Sequence, residues 1–347
     1  MNKLIATASP HFHRPRTTRS IMLDVIIALI PAVIASVIFF GLRSLLVLVD
    51  CVSVCVFSEW GFEKICKKEN TVGDLWAVVT RVILALHLPV PEWIFEKICK
   101  KEKTSGDLSA VVTGVILALN LPVDVPLWQA TLGAVIAIVV IKQLFGGIGQ
   151  NFANPAATAR IVLMTAFSGT MTSWAVPQAF NLLPDATTGA TPLALMTKGD
   201  LTHLPSYLDM FLGNTGGCLG ETSVLALVLG GLYLLFRGVI TWHIPVSFIG
   251  TVALMSLVCG QDVLAQVLSG GLMIGAFFMA TDYSSSPATK WGKIIYGVGC
   301  GLITILIRFW GNFPEGVSFA LLIMSILTPY IEKLTRSKPL VGEVDES

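Results

Sequence analysis

Long apolar runs with few charges constrain the fold of this chain more than any other feature. Of its 347 residues, 54% are hydrophobic and only 13% are charged. A soluble domain is about 25% charged, so this chain has too little charge to cover a surface that faces water. The sequence therefore predicts an all-α polytopic membrane protein in a lipid bilayer. The net charge of +1 argues against nucleic acid as a partner, because no basic surface is available to neutralise phosphates.

Apolar segments long enough to suggest membrane crossing occur about ten times, since a spanning helix needs about 20 mostly apolar residues. The predicted spans are 21–40, 45–60, 108–121, 127–144, 158–167, 223–236, 246–259, 263–280, 294–309 and 317–330. Basic residues of short loops stay cytoplasmic. In this arrangement nearly all of them share one side, so both termini are expected in the cytoplasm, with segment 168–222 on the outer side of the membrane.

The two halves of the chain resemble each other weakly, which predicts an internal repeat. Two pairs of short segments correspond: Thr113-Gly114 with Ser269-Gly270, and Ile141-Lys142 with Ile307-Arg308. Each half has five spans, and because five is an odd number the second half is inverted relative to the first. Inverted repeats commonly enclose a ligand site near the midplane of the membrane. The predicted divisions are a five-helix half at 1–167, an outer loop at 168–222, a second five-helix half at 223–333 and a cytoplasmic tail at 334–347. This architecture suits a small-solute channel or carrier as well as a redox protein.

The polar stretch at 185–191 reads D-x-x-T-G-A-T and ends at Thr191. It resembles the recognition motif of the flavin transferase that attaches FMN to a threonine hydroxyl through a phosphoester, with the final threonine as acceptor. Small residues such as Gly189 and Ala190 would let the enzyme approach an exposed turn. An ordinary surface loop is the alternative, because aspartate, glycine and proline all favour turns.

Further motifs resemble the D subunit of the Rnf electron-transport complex, whose family includes the B subunit of the sodium-pumping NADH:quinone oxidoreductase. They cover nearly the whole chain: Ser9-Pro-His, Ser20-Ile-Met-Leu-Asp24, Gly146-Gly-Ile-Gly-Gln-Asn-Phe-Ala-Asn-Pro-Ala156, Gly220-Glu-Thr-Ser223, Trp242-His-Ile-Pro-Val-Ser247 and Gly275-Ala-Phe-Phe-Met-Ala-Thr-Asp282. The resemblance implies a membrane flavoprotein that carries electrons through covalent phosphothreonyl FMN between ferredoxin and NAD, coupled to sodium or proton translocation. It implies that the chain is not catalytic alone. Its implied partners are the A, B, C, E and G subunits of the Rnf complex, together with the maturing flavin transferase, and ferredoxin and NAD would bind only to those other subunits.

Three further residues are candidates for flavin binding. Asn151 and Asn154 fall where the related quinone-reductase protein holds a non-covalent riboflavin, and their amides could bond to the pyrimidine edge of a flavin. The alternative is that both asparagines only cap the helix and hydrogen-bond to backbone groups that Pro155 leaves without helical partners. Thr222 opens a predicted helix whose free amides could face the FMN phosphate; ordinary helix capping is the alternative.

Acidic residues within or next to the predicted spans suggest a path for ions through the membrane. The candidates are Asp50, Glu59 and Asp282, although hydrogen bonding between helices would explain them too. The seven cysteines form no CxxC cluster, and we assign no metal site.

A tandem duplication is the oddest feature of the chain. Segment 62–90 recurs at 95–123 with 24 of 29 positions identical, and the family resemblance calls for a single copy. Arg81 in the first copy would cost about 2.5–3.5 kcal/mol at the centre of a span. We therefore expect that the first copy does not cross the membrane. It either dips in and returns, or lies at the cytoplasmic interface.

This topology predicts that Cys66 and Cys99, one in each copy, are both protected from an impermeant maleimide in intact cells. The measurement uses a background free of the other cysteines, and permeabilised cells serve as the labelling control. Labelling of Cys99 alone from outside would mean that the first copy spans the membrane.

Overall fold

The computed structural model describes residues 17–67, 107–147, 149–177, 189–197, 203–311 and 315–335, and nearly all of its ordered segments are helical. In chain order the helices are α1 (Thr18–Lys67), α2 (Ser109–Leu119), α3 (Leu127–Val135), α4 (Pro155–Ala166), α5 (Ser168–Met171), α6 (Pro192–Thr197), α7 (Tyr207–Leu212), α8 (Val224–Arg237), α9 (His243–Val258), α10 (Val263–Leu268), α11 (Leu272–Ile274), α12 (Lys290–Trp310) and α13 (Val317–Thr335). Two π-helical segments, Ile136–Gln143 and Gly275–Met279, continue α3 and α11. Most of the first duplicated copy lies outside the described residues.

The longer helices lie largely within the predicted spans, which confirms the helical, apolar character of the described residues. Within the described residues three helical stretches are long and apolar enough to cross a membrane: Thr18–Lys64, Lys290–Trp310 and Val317–Thr335. Shorter apolar helices occur at Ser109–Leu119, Leu127–Gln143, Val224–Arg237 and His243–Val258. Large apolar side chains such as Phe236 and Leu334 remain exposed on the outside, as expected where lipid is the solvent.

The range of α1 contains two helices that meet at a kink. Gly41, at the kink, has φ 67° and ψ −158°, which are not helical values. The kink lies at the predicted boundary between the first two spans, at residues 40–45. Gly41 suits this place because a residue without Cβ adopts positive φ without strain.

The predicted span at 263–280 is broken. α10 ends before Ser269, Gly270 has φ 68°, and the chain resumes as α11 and the second π-helical segment. Backbone groups near such a break lose their helical partners, so they must be satisfied by other parts of the protein. The break thereby brings polar groups into the interior of the bundle.

The second duplicated copy supplies α2, which packs closely on α1. A methyl group in place of the Gly114 hydrogen would lie 2.8 Å from the Val52 Cα atom. Small residues at helix contacts allow this approach in membranes. The corresponding residue of the first copy is Arg81, whose side chain would not fit at that contact.

Candidate functional site

Arg160 is the centre of a buried ionic cluster. Its Nη1 atom lies 2.7 Å from Glu221 Oε1 and 2.9 Å from Asn120 Oδ1. Its Nη2 atom donates to Cys218 Sγ at 3.2 Å and to the carboxylate of Glu315. Arg160 is only 3% exposed. We call Arg160, Cys218, Glu221, Arg308 and Glu315 the Arg160 cluster.

Local structure positions each member of the cluster. α4 carries Arg160, and it begins at Asn154, whose side chain accepts hydrogen bonds from the amides of Ala156 and Ala157. The segment that holds Glu221 is fixed against the end of α2, because Gly220 N donates to Leu119 O at 2.7 Å. Glu315 directly precedes α13 and accepts a hydrogen bond from Gly271 N at the break after α10.

Arg308 joins the same cluster from α12. Its Nη1 atom donates to Gln266 O at 2.7 Å, and its Nη2 atom donates to Ser269 O at 3.0 Å. A methyl group on Gly270 would lie 3.1 Å from both Arg308 Nη2 and Glu315 Oε1, which places the second guanidinium beside the carboxylates. The cluster thus brings two guanidiniums and two carboxyls together inside the protein.

The sulfur and carboxylate atoms of Cys218, Glu221 and Glu315 lie within 4.8 Å of one another, a separation that could hold a metal ion. Arg160 donates to all three groups. Its guanidinium therefore already supplies the positive charge that a metal ion would bring, and a second cation at the same place would be repelled.

Burial and neighbouring charges shift the pKa values of the two carboxyls of the cluster in opposite directions. Burial raises the pKa of Glu221, the Arg160 guanidinium opposes this rise, and the adjacent Glu315 carboxylate adds to it. Burial alone would also raise the pKa of Glu315. Arg160, a hydrogen bond from Glu221 and the Gly271 amide instead hold it below its usual range. Glu221 is therefore the more readily protonated of the two carboxyls, and Glu315 is the more readily ionised.

Thr191 lies in a small cavity beside this cluster. The cavity measures about 20 Å³, and Thr191, Gly216, Glu221, Thr222 and Glu315 are among its lining residues. We call it the Thr191 cavity. Thr191 is 8% exposed and its hydroxyl accepts a hydrogen bond from Ala194 N at 3.1 Å at the start of α6. The motif's acceptor residue is thus packed against the protein, in contrast to the exposed turn expected from the sequence.

The other candidates near Thr191 have definite positions. Gly189 N donates to Trp174 O at 2.9 Å, which fixes the turn before Thr191. Ser223, not Thr222, caps α8 by accepting from Ala226 N. Thr222 is 3% exposed, and no group in the described part of the chain hydrogen-bonds to its hydroxyl. Asp185 lies outside the described residues.

A second ionic cluster surrounds Lys142 in the first π-helical segment. Lys142 Nζ lies 2.6 Å from Glu59 Oε1 and 2.7 Å from Ser109 Oγ, while Gln143 donates to the same Glu59 oxygen. We call Glu59, Ser109, Lys142 and Gln143 the Lys142 cluster. All four are buried. A buried lysine and glutamate thus neutralise each other within the bundle.

A cavity of about 130 Å³ adjoins the Lys142 cluster. Its polar lining includes Ser109, Lys142, Asn151, Asn154 and Asp282, and its remaining wall is mostly apolar. We call it the Asn151 cavity. Apolar walls with a few polar groups are the usual composition of a small-molecule site.

The two asparagines of this cavity differ in what they can offer to a ligand. Asn154 is occupied by the start of α4 and donates to Met279 O at 3.2 Å. The buried Oδ1 atom of Asn151 has no hydrogen-bond partner among the residues that the structure describes. Asn151 is therefore the amide that is available to a ligand.

The three acidic candidates separate in the structure. Glu59 bonds to Lys142, and Asp282 lines the cavity beside the same lysine. Asp282 accepts hydrogen bonds from Ser284 and Ser285. Asp50 instead accepts a hydrogen bond from Thr131 Oγ1 at 3.0 Å, which joins α1 to α3. Asp50 thus has the contact expected of interhelical hydrogen bonding.

Sequence reasoning missed the roles of Arg160, Cys218 and Glu315. Arg160 lies within the predicted span 158–167, and a charged residue there is itself a sign of a functional site. The predicted candidates for the ion path are acidic residues only. A basic residue inside a predicted span is an equally strong sign of a functional site, and Arg160 is such a residue.

The helical fold, the lipid-type surface and the buried ionic clusters define a helical membrane protein with polar sites inside its bundle. The NQR2, RnfD, RnfE family model matches residues 5–91 and 90–341, so the chain belongs to this family. The match restarts at residue 90, which agrees with a duplicated segment.

Curated relatives cover almost the whole chain. The chain is 45% identical to the D subunit of the Na⁺-translocating ferredoxin:NAD⁺ oxidoreductase complex of Acetobacterium woodii, over 97% of this chain and 96% of the relative. It is 37% identical to the D subunit of the proton-translocating ferredoxin:NAD⁺ oxidoreductase complex of Clostridium ljungdahlii, over 96% and 95%. The D subunit of an ion-translocating oxidoreductase complex of Marinobacter nauticus is 33% identical over 96% and 94%. These relatives confirm the resemblance to the D subunit of the Rnf complex.

The Arg160 cluster predicts a large loss of stability for Arg160→Gln, because Glu221 and Glu315 would be left buried beside each other without their guanidinium. Breaking a buried ion pair by removing one partner typically costs about 3–5 kcal/mol. The midpoint of thermal unfolding in detergent measures the effect.

Arg43→Gln is the matched control, since Arg43 forms an exposed pair with Asp124 at 3.9 Å. Exposed pairs contribute about 0–1 kcal/mol. Adding Glu221→Gln and Glu315→Gln to Arg160→Gln should recover part of the loss. Equal shifts for Arg160→Gln and Arg43→Gln would contradict this account of the cluster.

Proposed function

We propose that this chain is the FMN-carrying membrane subunit of an ion-translocating ferredoxin:NAD oxidoreductase, with the FMN attached to Thr191 through a phosphoester. The observation that supports this most is the position of Thr191, the last residue of the motif, in a cavity beside two buried arginines. The names of its relatives support the complex to which it would belong. Bound FMN would supply one- and two-electron transfer.

The residues around Thr191 suit one end of that cofactor. A cavity of about 20 Å³ has room for roughly one or two water-sized groups. It can therefore enclose oxygens of a phosphoryl group but not an isoalloxazine ring, which would have to lie outside it. The buried Thr222 hydroxyl, without a partner among the described residues, could donate to a phosphoryl oxygen.

The role of the chain at the phosphate end of FMN is to fix the position of Thr191 and to balance the negative charge of the phosphodiester. Thr191 is fixed by the start of α6, and Gly270 lets Leu193, Arg308 and Glu315 approach the same place. Arg160 and Arg308 provide positive charge near a phosphodiester. The burial of Thr191 implies that the transferase acts before this segment packs, or during its local opening.

The Asn151 cavity is the proposed place of a non-covalent riboflavin. Its apolar wall suits a ring system, and the unpartnered Oδ1 atom of Asn151 could accept a hydrogen bond from a ring N–H group. Glu59, which bonds to Lys142, and Asp282, which lines the cavity beside that lysine, are the proposed acidic groups of the ion path. The related proteins are named for sodium in one organism and for protons in another, so we propose ion coupling without choosing the ion.

The proposed topology has ten spans in two inverted halves, with both termini in the cytoplasm. The contacts support it: Lys142 bonds to Ser109, next to a positive φ at Leu108, and Arg308 bonds to Ser269 O, next to the positive φ of Gly270. In each proposed half, a cation thus contacts a serine beside an irregular backbone. Other Rnf subunits and the flavin transferase are the proposed partners.

Thr191→Val is expected to abolish covalent flavin completely, because it removes the only hydroxyl that ends the motif. In-gel flavin fluorescence of the full chain, expressed with its transferase, measures this. Thr187→Val changes a threonine at a variable position of the motif, so it is the matched control and should remain fluorescent. Covalent flavin retained by Thr191→Val would refute the attachment site, and a parent protein without any flavin would favour the channel or carrier.

Asn151→Ala is expected to lower the riboflavin extracted from the purified protein while leaving covalent FMN unchanged. The reason is the loss of the one amide in this cavity whose oxygen has no partner in the described structure. Chromatography of the extract measures the ratio of riboflavin to protein. Gln150→Ala changes an exposed neighbour and should have no effect. An unchanged ratio in Asn151→Ala would remove Asn151 from the site.

A further inference from the structure

Two carboxyl groups of the Arg160 cluster lie unusually close together. Glu221 and Glu315 are each 6% exposed and come from segments 94 positions apart in the sequence. A methyl group on Gly271 would lie 2.8 Å from Glu221 Oε1 and 3.3 Å from Glu315 Oε1. A carboxyl oxygen of Glu221 and one of Glu315 lie within 4.8 Å of each other. Two carboxylates so close together resist ionising at the same time, so the pair titrates as a unit.

The charges that face the pair come from every element packed around it. Arg160 approaches from α4 and Arg308 from α12, and the thiol of Cys218 lies beside Arg160. With both carboxyls ionised, the two guanidiniums and two carboxylates balance to zero. With one carboxyl protonated, the cluster carries one net positive charge.

An independent feature shows that the adjoining cavity is built for a polar occupant. Thr222, directly after Glu221, has a buried hydroxyl for which the described structure provides no hydrogen-bond partner. It lines the Thr191 cavity together with both carboxyls. Buried hydroxyls in proteins are nearly always satisfied, so a water molecule or a ligand oxygen belongs there.

We propose that the Glu221–Glu315 pair is a binding site for one exchangeable proton, and that its occupancy is set by the charge of the group in the Thr191 cavity. This inference rests on the proposed function, since that group is then the phosphodiester of FMN. One proton from water forms an O–H bond on a carboxylate oxygen, and no electron moves in this step. The hydrogen of the protonated Glu221 is then shared with Glu315.

The direction of the effect follows from the charge balance. A phosphodiester brings one negative charge to a cluster that is neutral when both carboxyls are ionised. Uptake of one proton restores neutrality, so a negative occupant raises the proton affinity of the pair. The charge of the phosphodiester is thereby linked to a proton inside the protein.

The test is a pH titration of the carboxyl C=O stretch by difference infrared spectroscopy. It uses the full chain purified with and without coexpressed flavin transferase, and in-gel fluorescence reports flavinylation separately. We expect one buried carboxyl band whose midpoint moves to higher pH on flavinylation by about one unit, which corresponds to about tenfold in proton affinity. This comparison needs no substitution, so it stands even if a variant fails to fold.

Glu221→Gln and Glu315→Gln should each abolish the band. In either variant the remaining carboxylate faces Arg160 and Arg308 alone and stays ionised. Glu332→Gln, which changes an exposed carboxylate that accepts from Ala288 N, is the control and should keep the band.

A band that survives in either of the two cluster variants would overturn the pair as the proton site. If the midpoint of the band is the same with and without flavin, the proton affinity of the pair does not depend on the group in the Thr191 cavity, and that part of the proposal is overturned. Absence of covalent flavin from the parent protein would instead refute the proposed function, while the titration of the unflavinylated chain would still decide whether the pair binds a proton.

Discussion

The need to neutralise charge inside an apolar helix bundle governs this structure. A guanidinium removed from water loses several kcal/mol of hydration, which only close charged and polar partners can offset. Arg160 finds such partners on α2, on the segment before α8 and on the segment before α13. One side chain therefore holds together elements that hydrophobic packing alone would leave free to slide. Its position also determines where Glu221 and Glu315 meet, and so where the Thr191 cavity lies.

Irregular backbone makes these clusters possible. A continuous helix satisfies its own amides and carbonyls and has none to offer to a ligand or a buried charge. Where α10 ends, Gln266 O and Ser269 O accept from Arg308, and Gly271 N donates to Glu315. The break thus exchanges internal hydrogen bonds for contacts with charged side chains. The same exchange explains why the polar sites of this protein lie beside its breaks.

Local sequence patterns predicted the helices well and their partners poorly. Hydropathy located the apolar helices because burial in lipid acts on each segment separately. It could not show that Gly270 breaks the predicted span at 263–280. The partners of Arg160 lie 61 and 155 positions away, and no periodicity relates such distances. Similarly, the motif identified Thr191, but its burial depends on how α6 packs.

The duplicated segment shows how strongly both clusters constrain one helix. The copies differ at five positions, and three of the second-copy residues make buried contacts in the structure: Ser109 with Lys142, Gly114 with α1, and Asn120 with Arg160. The first copy has tryptophan, arginine and histidine at these places, so it could not replace α2. Ser109 and Asn120 are eleven residues apart, a rise of about 17 Å along a helix. α2 therefore lies between the two clusters, with a residue at each of its ends bonded to one of them.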